Sequence, residues 1–177
     1  MRVYVPATIA MLQRLVAEEE LVPVSRTAFA VTPTLRESYA AGDDDELAEV
    51  AMAEAARASL RLIAAETGDA ETGDSSSGAR EGVVFRRAVI AADVDDVTLR
   101  PDLDDAVVRL GAPLTLASVA SVHVDLSEAE RAIERASAVV DDADLGDADA
   151  EFVLGDAEDH ELAWYATQEL PFLLELL

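Results

Sequence analysis

The sequence predicts an α+β fold in which one long amphipathic helix packs on a sheet of short strands. Three observations lead to this prediction. Residues 44–66 keep a single helical period, several short β-branched runs are typical of strands, and capping residues separate the two kinds of segment. The 177 residues can bury a core without disulfides or metals, so we expect a single domain over residues 1–177.

The long helix carries a stripe of mostly small apolar residues. With roughly 100° per residue, the stripe comprises Leu47, Ala51, Met52, Ala55, Ala58, Leu62 and Ile63. Residues 43–45 are acidic and predict the helix start, and Gly68 predicts its end. Glu54 and Arg57 lie opposite the stripe, three residues apart, and are expected to pair. Leu60 falls on this charged side. We expect the helix to cover a sheet, with a partner-binding surface as the alternative.

The chain before the long helix predicts a strand, a helix, a second strand and a short helix. In order, these are a strand at 2–5 that Pro6 ends, a helix from the cap Thr8 to about residue 20, a strand at 27–31, and a short helix with Thr32 as N-cap and Pro33 in its first turn.

The chain after the long helix predicts further strands between two acidic loops. Residues 67–82 and 141–159 are rich in acidic and small residues and are expected to be flexible loops. The remaining elements are a strand at 83–94 with a central position, a turn-rich connection at 95–105, strands at 107–110, 119–124 and 162–166, a helix from the capping box Ser127–Glu130 to Val140, and a final helix capped by Thr167.

Residues 2–39 and 119–177 share one order of elements, and both second strands run into a Thr-capped turn. This echo suggests duplicated β-α-β-α halves. Two such halves would give a ferredoxin-like sheet with helices on one face, and the long helix would be an extra element between them.

Composition limits the classes of partner. The net charge of −24 comes from 37 acidic and 13 basic residues, all of them arginine, and it repels nucleic acid and anionic membranes. Genome composition and adaptation to salt are the two alternative explanations of this acidity. There is no cysteine, no apolar run that could span a membrane and no signal peptide, so we expect a cytoplasmic location. The chain has no nucleotide-binding loop, and no cofactor is predicted. A homodimer or another protein partner is the expected kind of assembly.

Several motifs together resemble a family of uncharacterised actinobacterial proteins. They are MRVYVPAT at the start, FAVTPTLRESY, EAARASLRL, VHVD, and WYATQEL near the end, and they cover most of the chain outside the two acidic loops. The resemblance implies an actinobacterial source with a GC-rich genome. It brings no assigned activity and no catalytic residues.

A few residues could carry chemistry. His123 and Asp125 alternate on one strand and point to the same face, and His160 precedes a strand that could neighbour it, so these three are the candidate metal ligands. Acid–base catalysis would use His123, Asp125 or Asp93, with Tyr4 in the same pocket. The alternative to a chemical role is a structural one, in which His123 is half-buried and hydrogen-bonded and the aspartates lie at strand ends facing water.

The sequence leaves two main hypotheses for the function. The first is an acidic interaction or regulatory module without catalytic activity, which rests on the missing motifs. The second is a small metal- or ligand-dependent enzyme that uses a pocket around His123 and Asp125, and a pocket that gathers these groups would favour it. A salt-adapted structural protein is a third hypothesis, and it predicts stability that rises with salt.

Overall fold

The computed structural model describes residues 1–72 and 82–177 and confirms a mixed α+β fold. The strands are β1 (Arg2–Ala7), β2 (Glu20–Leu21), β3 (Thr27–Phe29), β4 (Ala88–Asp93), β5 (Val97–Leu99), β6 (Val107–Leu110), β7 (Leu114–Thr115), β8 (Val119–Val124) and β9 (Ala163–Ala166). The helices are α1 (Ile9–Glu18), α2 (Pro33–Ser38), α3 (Asp44–Thr72), α4 (Glu130–Asp144), α5 (Ala148–Glu158) and α6 (Leu170–Glu175). No helix in these two ranges is long and apolar enough to cross a membrane.

Seven strands form one antiparallel sheet in the order β5-β6-β3-β1-β4-β8-β9, and β2 pairs separately with β7. Strand β4 lies near the middle, between β1 and β8, and its residues from Ala88 to Ala92 are all buried. A continuous apolar run is typical of a strand covered on both faces, so the predicted central position was correct. Strand β5 lies in the segment predicted as a turn-rich connection, where three residues give too short a pattern to stand out.

Helices cover both faces of the sheet, which corrects the prediction of helices on one face. Val3 and Val5 of β1 face one layer, where they pack with α1 and α6. Residues of alternate parity, such as Val89 and Phe29, face α3 on the other side. Strands β1 and β3 are also direct antiparallel neighbours, as are β8 and β9. In the predicted ferredoxin-like sheet, the two strands of each split β-α-β half would instead be parallel, with another strand between them.

Helix α3 is longer and more deeply buried than its sequence pattern predicts. It has 29 residues and continues through Gly68, because glycine weakens a helix without forbidding it. Its first half packs on the sheet, and its second half packs on α4 and α5. Leu60, on the predicted charged side, is therefore fully buried. The predicted Glu54–Arg57 pair does not form, since the Arg57 guanidinium binds Asp144 and Glu151 instead, at 3.1 and 2.9 Å.

The prediction of a flexible acidic loop at residues 141–159 is wrong. Residues 141–159 form the end of α4 and the whole of α5, and Asp147 is the N-cap of α5. Ala143, Leu154 and Ala157 from this segment are buried against α3, so enough apolar surface is present to order it. Of the first predicted loop, residues 67–72 belong to α3, and residues 73–81 lie outside the described residues.

Local capping signals predicted helix starts well where the cap is a single side chain. Thr8 accepts a hydrogen bond from Met11 N, and Thr32 accepts one from Leu35 N. The capping box predicted at Ser127 does not form, because residues 127–129 make a 3-10 turn before α4. Thr167 likewise makes no cap, and its hydroxyl donates to the Val119 carbonyl of β8.

Candidate functional site

A cleft of about 580 Å³ opens between α3, the sheet and the segment that follows α5. This volume lies within the range of small-molecule sites, roughly 300–1,000 Å³. We call it the α3 cleft, and its lining consists of Tyr4, Ala48, Glu49, Met52, Ala53, Glu54, Ala56, Arg57, Leu60, Arg87, His123, Glu158, His160, Glu161 and Leu162. The site is therefore assembled from five separate parts of the chain, around Tyr4, residues 48–60, Arg87, His123 and residues 158–162.

Helix α3 supplies an apolar floor and one charged wall of the cleft. Met52, Ala56 and Leu60 follow one another at helical spacing and give the floor. The small alanine side chain leaves room between the helix and the sheet. Glu54 and Arg57 rise beside this floor.

The sheet supplies Tyr4 and His123. Tyr4 lies opposite Ala91 of β4, and His123 lies opposite Val89 of the same strand. Ala91 and Val89 are two residues apart, so Tyr4 and His123 project from the same face, toward α3. The Nε2 atom of His123 lies 3.1 Å from the Ser121 hydroxyl, which restrains the imidazole ring. The structure thus brings Tyr4 and His123 together with His160, three of the residues that the sequence singled out.

Three titratable groups of the cleft are shifted toward their neutral forms. Burial raises the pKa of the Glu54 carboxyl, and the negative charge of Asp104 adds to this effect. Burial also raises the pKa of the Tyr4 hydroxyl and lowers the pKa of the His123 imidazole. The shared cause is desolvation, which disfavours the charged form of each group. Several shifted groups around one concave site are a physical indication of function.

Asp125 does not face the cleft and instead fixes Arg87. Its carboxylate oxygens bind Arg87 Nε and Nη2, each at 2.8 Å, and Oδ2 also accepts from Arg87 N. The Arg87 side chain is 4% exposed and that of Asp125 is fully buried. Arg87 Nη2 further donates to the His160 carbonyl at 2.7 Å, which ties the segment after α5 to the sheet.

Sequence reasoning missed Arg87, which is the most deeply buried charge in the lining. The available signal was an arginine immediately before an apolar central strand, with an aspartate just after the neighbouring strand. Arg87 and Asp125 extend the β4–β8 ladder, whose last pair is Ala88 and Val124. An antiparallel register places two such residues side by side, but it is known only once the strands are paired.

The other predicted groupings are not assembled. Asp93 lies at the far end of β4, where its carboxylate forms an exposed ion pair with Arg2 at 2.8 Å. The Arg2 hydrogen bond lowers the pKa of Asp93, the opposite of what a general base near neutral pH requires. Within residues 1–72 and 82–177, no three His, Cys, Asp or Glu side chains are arranged to hold a metal ion. The predicted metal ligands His123, Asp125 and His160 do not form one site, because the Asp125 carboxylate is bound to Arg87.

An ion-pair network fixes the outer rim of the cleft. Arg57 binds Asp144 of α4 and Glu151 of α5, and its Nη1 lies 3.7 Å from Glu158. Arg61 binds the same Asp144 at 2.8 Å. The Arg61 and Arg57 guanidinium groups lower the pKa of the Asp144 carboxyl, so the network is intact at neutral pH. It holds the two acidic helices α4 and α5 against α3.

Replacement of Glu54 by glutamine should raise stability at neutral pH but not in acid. Because burial raises its pKa, the folded chain holds this proton more tightly than the unfolded chain does. Wild type therefore loses stability as pH rises above the ordinary glutamate pKa of about 4.3. We expect Glu54→Gln to match wild type near pH 4 and to melt roughly 1–3 °C higher at pH 7.5, measured by calorimetry.

The exposed Glu134→Gln is the matched control, since it removes one negative charge outside the cleft. Subtracting its effect isolates the desolvation of Glu54. A Glu54→Gln variant that melts below wild type at pH 7.5 would show that the carboxylate is stabilised in its charged form.

Comparison with known proteins gives a family but no described relative. Residues 1–174 match the model of a family of unknown function, DUF6912. Neither the curated proteins nor the solved structures contain a significant match to the chain. The match includes every wall of the α3 cleft, from Tyr4 to Leu162, and almost the whole chain. The protein therefore belongs to the family of unknown function DUF6912.

Proposed function

We propose that the protein binds a small organic molecule in the α3 cleft. The observation behind this proposal is the convergence of a buried arginine, two histidines, a tyrosine and a desolvated glutamate on one cavity with an apolar floor. Ligand sites are typically apolar cavities with a few convergent polar groups and shifted pKa values. This favours the ligand-dependent alternative over a module that lacks any site.

The same groups support proton transfer to or from the bound molecule. The ordinary pKa values of glutamate and histidine are about 4.3 and 6.5. In this site the pKa of the Glu54 carboxyl is raised and the pKa of the His123 imidazole is lowered. Shifts in these directions bring the pKa of the carboxyl nearer to neutral pH and leave the imidazole neutral there. We assign Glu54 as the candidate acid and His123 as the candidate base of an acid–base reaction on the ligand.

Filling the cleft tests the proposed ligand binding. Ala53 is exposed and lines the cleft, so Ala53→Trp places a large side chain in it without disturbing the core. We expect a library of small organic molecules to yield ligands that shift backbone amide resonances of the cleft in wild type. These shifts should be lost, with affinity reduced at least about tenfold, in Ala53→Trp.

The control for this experiment is Ala138→Trp on α4, another exposed alanine in a helix, which lies outside the cleft lining. It should bind the same molecules as wild type does. The proposal fails if no molecule shifts cleft resonances at several millimolar, or if Ala53→Trp leaves binding unchanged.

The original interaction hypothesis is supported by a different observation, the outer edge of β9. Strand β9 is the last in the sheet order, so one of its edges is unpaired among the described residues. Trp164 on this strand is 60% exposed. Open edges and exposed aromatics both favour contacts between proteins. We propose a homodimer formed by pairing of two β9 edges as the second candidate function.

The single tryptophan gives a direct test of that dimer. We expect sedimentation to show association at tens of micromolar, with the Trp164 emission shifting to the blue as the concentration rises. Because each chain carries a charge of −24, the association should strengthen with salt. A monomer at 100 μM and 0.5 M salt, with unchanged emission, would exclude the dimer.

A further inference from the structure

The guanidinium of Arg87 has one nitrogen without a protein partner. Nε and Nη2 make all of its side-chain hydrogen bonds, two to Asp125 and one to the His160 carbonyl. Nη1 makes none with any part of the chain that is described. It is also not sealed from solvent, because the single side-chain atom of the described residues that is fully buried without a partner is Arg109 Nε. Nη1 is therefore an accessible donor on an otherwise buried side chain.

The side chain that carries this donor lines the α3 cleft, and we infer that Nη1, its accessible nitrogen, is the atom that reaches the cavity. Arg87 is part of the cleft lining, although only 4% of its side chain is exposed. The bidentate contact with Asp125 fixes the plane of the guanidinium, so the direction of Nη1 is set before any ligand arrives. A pre-oriented donor at the wall of an apolar cavity calls for an oxygen acceptor, since leaving it unpaired in a filled site costs binding energy.

The charges around the cleft determine whether a charged or a neutral oxygen acceptor is favoured next to Arg87 Nη1. The positive charge of Arg87 is already balanced by Asp125, so Nη1 offers a hydrogen bond without a free positive charge. Arg57, the other arginine of the lining, is likewise bound to carboxylates. Besides the candidate acid Glu54, three further glutamates line the cleft, at positions 49, 158 and 161. An anion entering this cavity would be repelled and would lose its hydration, whereas a neutral carbonyl oxygen avoids both costs.

We infer that the α3 cleft takes a neutral molecule with a carbonyl oxygen, such as an amide or a ketone, which accepts a hydrogen bond from Arg87 Nη1. The apolar body of the molecule lies along Met52, Ala56 and Leu60. This inference rests on the proposed ligand binding and names its chemical class. Arg87 is the residue that contacts the ligand, and Asp125 is a positioning residue that acts through it.

Probes with one body and three head groups test this inference. Benzamide, benzoate and benzylamine share a phenyl ring and differ in the charge of the polar group. We expect benzamide to bind at least about tenfold more tightly than either charged probe, measured by amide NMR titration. In arginine side-chain NMR, benzamide should shift Arg87 Nη1. The guanidinium of Arg57 is the internal control, because its Nε, Nη1 and Nη2 all lie near carboxylates.

A pair of adjacent variants adds a second readout. Arg87→Lys replaces the fixed fork by a single ammonium and should weaken benzamide binding about tenfold. Arg86→Lys alters the neighbouring arginine, which binds Glu130 at 2.8 Å outside the cleft, and should leave binding unchanged. The wild-type NMR shift of Nη1 decides the question even if Arg87→Lys does not fold.

The outcomes separate the two proposals. If benzoate or benzylamine binds most tightly in the cleft, or if benzamide binds without shifting Arg87 Nη1, the inferred class is wrong and ligand binding stands. If none of the probes, and no member of the library, shifts cleft resonances, the proposed function itself fails.

Discussion

Asp125→Ala should lower the free energy of unfolding by about 3–5 kcal/mol, because it leaves the Arg87 guanidinium buried without its counter-charge. Arg87 is 4% exposed and loses its bonds to both carboxylate oxygens. For a chain of this length, each kcal/mol lowers the melting temperature by roughly 2–4 °C, so we expect a decrease of about 6–20 °C. Chemical denaturation at pH 7 gives the free energy directly.

The exposed pair Arg2–Asp93 provides the control for Asp125→Ala. Its geometry is similar, with a contact at 2.8 Å, but its side chains are 47% and 61% exposed. Arg2→Ala should cost at most about 1 kcal/mol, since solvent screens such pairs. The double variant Arg87→Met with Asp125→Leu should be closer to wild type than Asp125→Ala is, because it leaves no buried charge. A loss for Asp125→Ala as small as that for Arg2→Ala would show that solvent screens the Arg87 guanidinium as well as it screens an exposed one.

Leu60→Ala should cost about 2–5 kcal/mol of stability, because it opens a cavity where three helices meet. Leu60 is fully buried and packs with residues of α4 and α5, such as Ile133 and Leu154. It is also part of the floor of the α3 cleft. We therefore expect a lower unfolding free energy by denaturant titration, together with weaker binding of cleft ligands.

Leu145→Ala is the control for this cavity, because Leu145 follows α4 and is 87% exposed. It should change stability by no more than about 0.5 kcal/mol. If Leu60→Ala were equally mild, the neighbouring helices would have to collapse into the space that the side chain leaves. In that case the second half of α3 would not be a rigid part of the core.

The sequence was sufficient for features that depend on neighbouring residues along the chain. Thr8 and Thr32 cap helices because a hydroxyl next to the first turn finds its partner three residues later, wherever the helix docks. Strand β4 was predicted as central, because a continuous apolar run needs cover on both faces. The period of residues 44–66 predicted α3, and Tyr4 and His123 were identified as candidate pocket residues from their residue types and positions on strands.

Tertiary structure decided which residues meet. The stripe on α3 accounts for one packed surface, but this helix packs on the sheet and on α4 and α5, so Leu60 is buried on the side that looked charged. Arg57 has carboxylates within reach along its own helix, yet it binds Asp144 and Glu151, which are distant in sequence. Asp125 lies two residues after His123, but the pairing of β4 with β8 places it beside Arg87, to which it binds. Each of these outcomes depends on strand register and helix docking, which minimise the free energy of the whole chain, whereas a local pattern reports only on its own segment.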